Sequence, residues 1–341
     1  MVRLVGGSVV PRTQRNQQTL RTQRTCRCSV LRLVGALRFA SGEMQVRRMA
    51  EKWTEGASRR QFLVGALGVG FTAGGGGSLI NERGQIDVTR HVLNSEASLS
   101  GGRVSFVQLS DLHLHRIGRH EERVAEAVNR LHLDFLVITG DTIDRADRLS
   151  VLDSFLGTLH PTEGFAVLGN WEHHSQVDLG ALERTYSLHN IDLLVNQSVV
   201  LEHRGKDLLI TGLDDLIEGS PHLERALAGL RPAQQHLILA HCPAHRDILL
   251  RDAAWGRNFH PTPPTLAGKN RSVLVLSGHT HGGQKCLAGW APVLPRGSGR
   301  SVAGWYTDGP IPLYVSRGLG TTLLPIRFGA VPEIAYFEIG L

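Results

Sequence analysis

Cysteine is scarce in this chain, with four residues among 341. So few cysteines in so long a chain exclude a disulfide framework of the kind that holds small secreted domains together. The lack of a thiolate cluster also argues against a structural zinc site. The fold must therefore depend on a hydrophobic core, and a hydrophobic content of 41% is ample for one.

An excess of positive charge is absent from most of the chain, although its formal net charge is +6. Residues 1–60 carry 13 lysines and arginines against three acidic residues, which leaves a net charge of about −4 on all the others. The part that can fold lacks the basic excess typical of nucleic-acid enzymes. We therefore expect no nucleic-acid partner.

No apolar run reaches the ~20 residues that span a bilayer comfortably as a helix. The nearest approach is a weakly apolar stretch of about 15 residues that follows Arg59-Arg60 and ends in small residues near Gly75. Basic, apolar and small residues in that order are typical of an export signal. The paired arginines before Phe62-Leu63 resemble the twin-arginine type.

The composition therefore divides the chain into three parts. Residues 1–48 are predicted to be disordered or untranslated, 49–80 to be a twin-arginine-type signal or an uncleaved anchor, and 85–341 to be the folded domain. Such a protein would use the twin-arginine export machinery. It would lie in the periplasm or stay tethered to the outer face of the cytoplasmic membrane, in contact with the membrane surface.

Strand-like and helix-like patterns alternate from residue 103 onward. Apolar residues at helical spacing predict helices over 121–131, 149–159, 178–188 and 223–230. The runs 198–202 and 208–211 predict a hairpin that turns at Arg204-Gly205. This alternation predicts an α/β fold, and the hairpin makes its sheets mixed.

Five of the predicted strands end in residues that can bind a metal ion. These residues are Asp111 and His113, Asp141, Asn170, His241, and the pair His279 and His281. Ligands bind at the carboxyl ends of strands in open α/β sheets, so the seven side chains are expected to meet at one edge. Carboxylate and amide oxygens combined with imidazoles suit Mn or Fe, and also Zn.

The ordered set Asp111-x-His113, Gly140-Asp141, Gly169-Asn170, His241 and Gly278-His279-x-His281 resembles the calcineurin-like metallophosphoesterases over roughly residues 103–340. The tail Val315-Ser316-Arg317-Gly318 resembles the exported bacterial branch of that family. The resemblance implies a four-layer α-β-β-α sandwich with two mixed sheets. It also implies a centre for two divalent metal ions at the sheet edge.

The resemblance assigns the ligands to the two ions. One ion would be held by Asp111, His113, Asp141 and His281, and the other by Asp141, Asn170, His241 and His279. Asp141 would bridge them, because a carboxylate has two oxygens and an imidazole cannot hold two cations in this way. Two cations make hydroxide available near neutral pH. The resemblance implies that this hydroxide hydrolyses a phosphoester, here a phosphodiester or phosphoanhydride bond.

One position departs from the family pattern. Many relatives have a histidine after Gly-Asn that helps to protonate the leaving group, whereas this chain has Trp171, whose indole cannot act as an acid. Either His173, His174 or His115 takes that role, or the leaving group needs little protonation. The second alternative favours a phosphoanhydride or an acidic phosphodiester leaving group.

The substrate is less well specified by the sequence. The residues predicted to contact it are Trp171, Trp290, Trp305 and Arg317. The long Gly-, Pro- and Trp-rich loop after Gln284 either forms an apolar rim for a lipid tail or packs its own side chains. A phospholipid or a nucleotide-linked glycolipid would suit the first alternative. Two other functions fit the same fold: a metal-binding protein without catalysis, and a nuclease of the same family.

Overall fold

The computed structural model describes residues 85–93, 102–161, 163–230, 233, 235–250, 272–283, 294–309, 311–322, 327 and 329–341. These residues fall in one compact unit, Gly77–Leu341. None of the helices in these ranges has the length and apolar character to cross a membrane. Predictions for residues 1–84, and for Trp290 in the loop after Gln284, lie outside the described residues.

Six strands of the described chain form the first sheet. They are β1 (Asp87–Leu93), β2 (Arg103–Leu109), β3 (Phe135–Thr139), β4 (Gly164–Val167), β5 (Ile191–Leu193) and β12 (Glu333–Gly340). Their order is β1-β12-β2-β3-β4-β5. Strands β2 to β5 are parallel, β12 is antiparallel to β2, and β1 is parallel to β12.

A second sheet contains the other six strands of the described residues. They are β6 (Gln197–His203), β7 (Lys206–Gly212), β8 (Gln235–Leu239), β9 (Ser272–Ser277), β10 (Gly304–Tyr306) and β11 (Leu313–Val315). Their order is β10-β11-β9-β8-β7-β6. Strands β7, β8, β9 and β11 are parallel, whereas β6 and β10 are antiparallel to their neighbours. Both sheets are therefore mixed.

The described residues also form six α-helices. They are α1 (Arg119–Asn129), α2 (Leu149–Leu156), α3 (Asn170–His174), α4 (Leu179–Ser187), α5 (Leu223–Ala226) and α6 (His245–Leu249). Short 3₁₀ turns cover Ala146–Arg148 and His281–Gly283.

Three hydrophobic clusters define four layers. One joins the outer face of the first sheet to α1, α2 and α4, and another joins the outer face of the second sheet to α5 and α6. The third lies between the sheets, where Phe106 stacks on both Phe135 and Phe337. Alternate residues of β7 face opposite layers: Leu208 and Ile210 point to the partner sheet, and Leu209 points to the outer helices. The predicted four-layer sandwich is confirmed.

The structure corrects the bounds of several predicted elements. Helix α1 begins two residues earlier than predicted, because the Glu121 carboxylate accepts the Gly118 N–H at 2.9 Å and starts the helix there. Helices α2 and α5 end before their predicted limits, at Leu156 and Ala226. The sequence does not predict β1, β5 and β10. All three lie at sheet edges, where partial exposure removes the continuous apolar run of a central strand.

The strand ends that carry the predicted ligands meet at one edge of the sandwich. Within the first sheet, the Asp111 N–H donates to Gly140 O at 3.0 Å, and within the second the Gly278 N–H donates to His241 O at 3.0 Å. The Gln108 amide donates across the gap between the sheets to Ser277 O at 2.9 Å. The loops after β2, β3, β8 and β9 are thereby held side by side.

Candidate metal centre

Six of the seven predicted ligands form two buried groups that could each hold a metal ion. The groups are Asp111 with His113 and His281, and Asp141 with His241 and His279. In each group the potential ligand atoms lie within 4.8 Å of one another. This division matches the assignment of ligands to two ions that the resemblance implies.

The first group combines two imidazoles with one carboxylate. His113 Nε2 lies 3.2 Å from His281 Nε2, and His281 Nε2 lies 3.5 Å from Asp111 Oδ1. Both Asp111 oxygens also accept the His279 N–H at 3.0 Å, which orients the carboxylate and links the two groups. Three potential ligand atoms thus converge on one point.

The second group is arranged around the Asp141 carboxylate. Asp141 Oδ2 lies 3.1 Å from His241 Nε2, and His241 Nε2 lies 3.2 Å from His279 Nδ1. The same oxygen is 3.8 Å from His113 Nε2 in the first group. Asp141 Oδ1 instead accepts the Trp171 N–H at 2.9 Å. A single oxygen, Oδ2, therefore faces both groups.

Backbone carbonyls orient the imidazoles of the second group. His241 Nδ1 lies 2.7 Å from Thr139 O, and His279 Nε2 lies 2.7 Å from Arg296 O. A carbonyl only accepts, so each of these nitrogens carries a hydrogen, and the other ring nitrogen is the one that can bind a cation. Sequence reasoning missed both partners, because Thr139 and Arg296 contribute main-chain atoms and leave no signal in residue type.

Asn170, the seventh predicted ligand, supplies an independent indication that a cation fits here. It is the first residue of α3, and its Oδ1 is buried with no hydrogen-bond partner among the described residues. Leaving a buried acceptor unpaired costs about 1–3 kcal/mol. A divalent cation bound with Asp141, His241 and His279 would satisfy that oxygen, so the residues present fit the metal centre that the resemblance implies.

Most of the ligand residues have a left-handed backbone. Their φ angles are 53° at Asp111, 44° at His113, 55° at Asp141, 73° at His279 and 52° at His281. Such a conformation costs an L-residue roughly 1–2 kcal/mol, and strained residues of this kind cluster at functional sites. The sharp turns at the strand ends aim several side chains at one place.

Two glycines permit the close approach of these loops. A Cβ on Gly169 would lie 2.2 Å from Asp141 Oδ1, and one on Gly278 would lie 1.8 Å from Ser110 Oγ and 2.5 Å from Asp111 Oδ2. Any side chain at either position would displace a predicted ligand. Glycine is thus required at both positions, because a larger residue would overlap the neighbouring loop.

Glu172 holds two of the ligand loops together. Its Oε2 accepts the N–H groups of Gly169 at 2.9 Å and Asp141 at 3.0 Å, and its Oε1 accepts the Thr142 N–H at 2.6 Å and hydroxyl at 2.8 Å. This buried carboxylate fixes the Asp141 loop against the start of α3. Glu172 therefore has a structural role beside the ligands.

Burial and neighbouring charges set the protonation of the ligands. Burial, together with the charge of nearby His241, lowers the pKa of His113 to about 3 and that of His279 to about 4, so both imidazoles are neutral as metal ligands must be. Burial raises the pKa of Asp141. The pKa of His241 is also raised, because Asp141, Asp111 and Asp215 outweigh its burial. A cation that binds Asp141 and His241 must displace a proton from that pair, so acid should weaken binding.

The residues predicted to protonate the leaving group lie in different surroundings. His173 Nε2 is 2.7 Å from Asp214 Oδ1, whereas the His174 ring packs edge-on against Trp171 at 5.2 Å. His115 is half exposed, and its Nε2 lies 3.4 Å from Asp144. Asp214 lies two residues after the end of β7, and its contact with His173 is a finding of the structure.

The residues predicted to contact the substrate also lie in different surroundings. The Trp171 ring lies 5.9 Å from the His113 ring, next to the first group. Trp305 packs against His91 and Tyr314 and donates its indole N–H to His91. The Arg317 guanidinium donates to Asp87 at 2.7 Å and to Glu333 at 3.2 Å. Only Trp171 of these three is retained in the candidate site.

Comparisons with known proteins agree with this geometry. The family model described as calcineurin-like phosphoesterase matches residues 104–283. The uncharacterized metallophosphoesterase YkuE of Bacillus subtilis is 32% identical over 83% of this chain and 97% of its own. Phosphodiesterase YaeI of Escherichia coli is 28% identical over 83% of this chain and 99% of its own. The chain belongs to the calcineurin-like phosphoesterase family.

Solved structures align more weakly. NAD nucleotidase of Haemophilus influenzae aligns with a TM-score of 0.38 at 11% identity, over 64% of this chain and 50% of that one.

Proposed function

We propose that this protein is a phosphodiesterase that uses two divalent metal ions, Mn, Fe or Zn, to hydrolyse a phosphodiester or phosphoanhydride bond. The observation that carries the proposal is the single oxygen, Asp141 Oδ2, facing both buried ligand groups. The unpaired Asn170 Oδ1 beside it adds a second oxygen. The name of the relative YaeI, a phosphodiesterase, supports the choice of bond.

Two bound cations supply Lewis acidity and activate water near neutral pH. The chain's own residues position that chemistry. Asp141 is held by the Trp171 N–H and His241 by Thr139 O, so the ligands need little reorganisation when substrate binds. The Trp171 ring, which packs against His113 and His174, gives the first group an apolar wall.

We further propose an exported protein that acts on a lipid-linked phosphoester at a membrane surface. The first support is the sequence of Arg59-Arg60 and the apolar residues that follow, which is typical of a signal for the twin-arginine export machinery. A second support is the start of β1: Asp87 pairs with Arg317, next to Gly318, which approaches Asp111. The described chain therefore starts at the edge that carries the candidate centre.

Hydrolysis assays on the purified full chain test which bond the protein cleaves and whether it needs a metal ion. With Mn²⁺, the chain is expected to hydrolyse bis-p-nitrophenyl phosphate, and a UDP-linked lipid if the lipid proposal is correct. Asp141→Ala should abolish both activities, whereas Asp192→Ala, at an exposed carboxylate of β5, should leave them unchanged. Activity that persists in Asp141→Ala, or none in the wild type with any of the three metals, would refute the proposal.

Export has its own test. Replacing Arg59 and Arg60 together by lysine should retain the protein in the cytoplasm, as measured by cell fractionation. Unchanged export of that variant would refute the twin-arginine assignment.

A further inference from the structure

A histidine in α3 and an aspartate in the turn after β7 form a close pair. His173 Nε2 lies 2.7 Å from Asp214 Oδ1, and the side chains are 20% and 10% exposed. The pair is thus mostly covered but still open to solvent. Proton exchange with water is possible there, unlike at the buried ligands.

The Asp214 carboxylate is fixed in place. Its Oδ1 accepts the Asp215 N–H and its Oδ2 accepts the Ser220 N–H, both at 2.8 Å. A Cβ on Gly219 would lie 2.5 Å from Asp214 Oδ1, so the turn packs tightly on the carboxylate. A carboxylate held this firmly can orient the imidazole that it binds.

The topology places each member of the pair near a candidate ligand. His173 lies three residues after Asn170 in α3, so the two side chains share one helix face. Gly212 of β7 pairs with Leu239 of β8, and Asp214 and His241 each follow two residues later on parallel neighbours. The fold therefore brings the pair to the side of the second group.

The charges around His173 favour its protonated form. The pKa of His173 is raised because Asp214 accepts its hydrogen bond, which outweighs partial burial, and Asp215 and Glu172 add in the same direction. A histidine whose pKa is raised holds its proton up to a higher pH, as a general acid requires.

We infer that His173, held by Asp214, is the acid that protonates the leaving-group oxygen, in place of the histidine that Trp171 replaces. The inference deepens the proposed function and depends on it. As the bond from phosphorus to the leaving oxygen breaks, His173 Nδ1–H passes its proton to that oxygen. The imidazole becomes neutral, its Nε2–H stays hydrogen-bonded to Asp214, and water returns the proton.

The test is how the loss of activity depends on the leaving group. Methyl p-nitrophenyl phosphate releases an acidic phenol that needs little protonation, whereas methyl phenyl phosphate releases a much weaker acid. His173→Gln in the full chain is expected to lower kcat/KM about 10²-fold for the phenyl ester and less than about 10-fold for the nitrophenyl ester. Asp214→Asn, which keeps the imidazole, should also lower kcat/KM selectively for the phenyl ester, but by a smaller factor.

A matched control exists elsewhere on the surface. His189 Nε2 lies 2.8 Å from Asp153 Oδ1, in a pair of similar geometry between α2 and the end of α4. His189→Gln should change neither ester by more than about 2-fold, which is the effect of a surface pair without a catalytic role.

The remaining outcomes decide between the inference and its alternatives. Equal losses on both esters would mean that His173 is only structural, and a selective loss in His174→Gln or His115→Gln would assign the proton to that residue. Either result overturns the inference. If His173→Gln does not fold, the selectivity of Asp214→Asn decides. Failure of the proposed function is distinct, because the wild type would then hydrolyse neither ester.

Discussion

Glu172→Gln should destabilise the protein strongly without changing the size of the side chain. The carboxylate accepts five hydrogen bonds from residues on two loops, two at Oε2 and three at Oε1, of which the longest comes from the Ile143 N–H at 3.5 Å. The amide nitrogen of glutamine cannot accept, so at least two of these donors would lose their partner. Hydrogen bonds to a charged group contribute about 1.5–3 kcal/mol each, so the free energy of unfolding should fall by about 3–6 kcal/mol.

Urea unfolding of the two proteins measures this loss. Glu126→Gln, at a 63%-exposed glutamate of α1, is the control and should change the free energy of unfolding by less than about 0.5 kcal/mol. Bound Mn²⁺ should also decrease in Glu172→Gln, because the two loops carry Asp141 and Asn170. A loss of stability below about 1 kcal/mol with full metal binding would refute the role assigned to Glu172.

The buried His236 and the closely packed Gly278 are each expected to affect stability in a measurable way. Burial lowers the pKa of His236 to about 3. Below pH 6.5 this histidine therefore binds a proton in the unfolded chain but not in the folded chain, and stability is lost as the pH falls. Between pH 7 and 5 this costs about 2 kcal/mol, so urea unfolding of His236→Gln should show a pH dependence smaller by that amount; an unchanged dependence would contradict the prediction. Gly278→Ala would force a Cβ into Ser110 and Asp111, so thermal unfolding should show a loss of about 1–3 kcal/mol together with weaker metal binding. Gly309→Ala, whose Cβ would make an ordinary contact at 3.9 Å from Leu250, is the control, and equal effects of the two substitutions would contradict the argument.

The sequence predicts the ligand set because the signal is local. Asp111, Asp141 and His241 each follow an apolar run, and the parallel arrangement of those runs is enough to bring the residues to one edge. The central strands are predicted for the same reason. The edge strands β1, β5 and β10 are not, because their half-exposed residues resemble loops in composition.

The surroundings of the ligands could not be predicted from the sequence. The carbonyls of Thr139 and Arg296 orient His241 and His279 across long separations in the chain, and any residue type could supply them. The contact between His173 and Asp214 likewise depends on how the β7 turn meets α3. Such contacts are fixed by tertiary packing, and the sequence alone leaves His173, His174 and His115 as equal alternatives.

Metal content tests the central claim most directly. The purified full chain is saturated with Mn²⁺ and freed of loosely bound ions, and its manganese content per chain is measured by elemental mass spectrometry. The shared oxygen of Asp141 predicts about two ions per wild-type chain, about one in His279→Ala or His281→Ala, and less than one in Asp141→Ala. Two ions retained in Asp141→Ala, or only one in the wild type, would contradict the bridged centre.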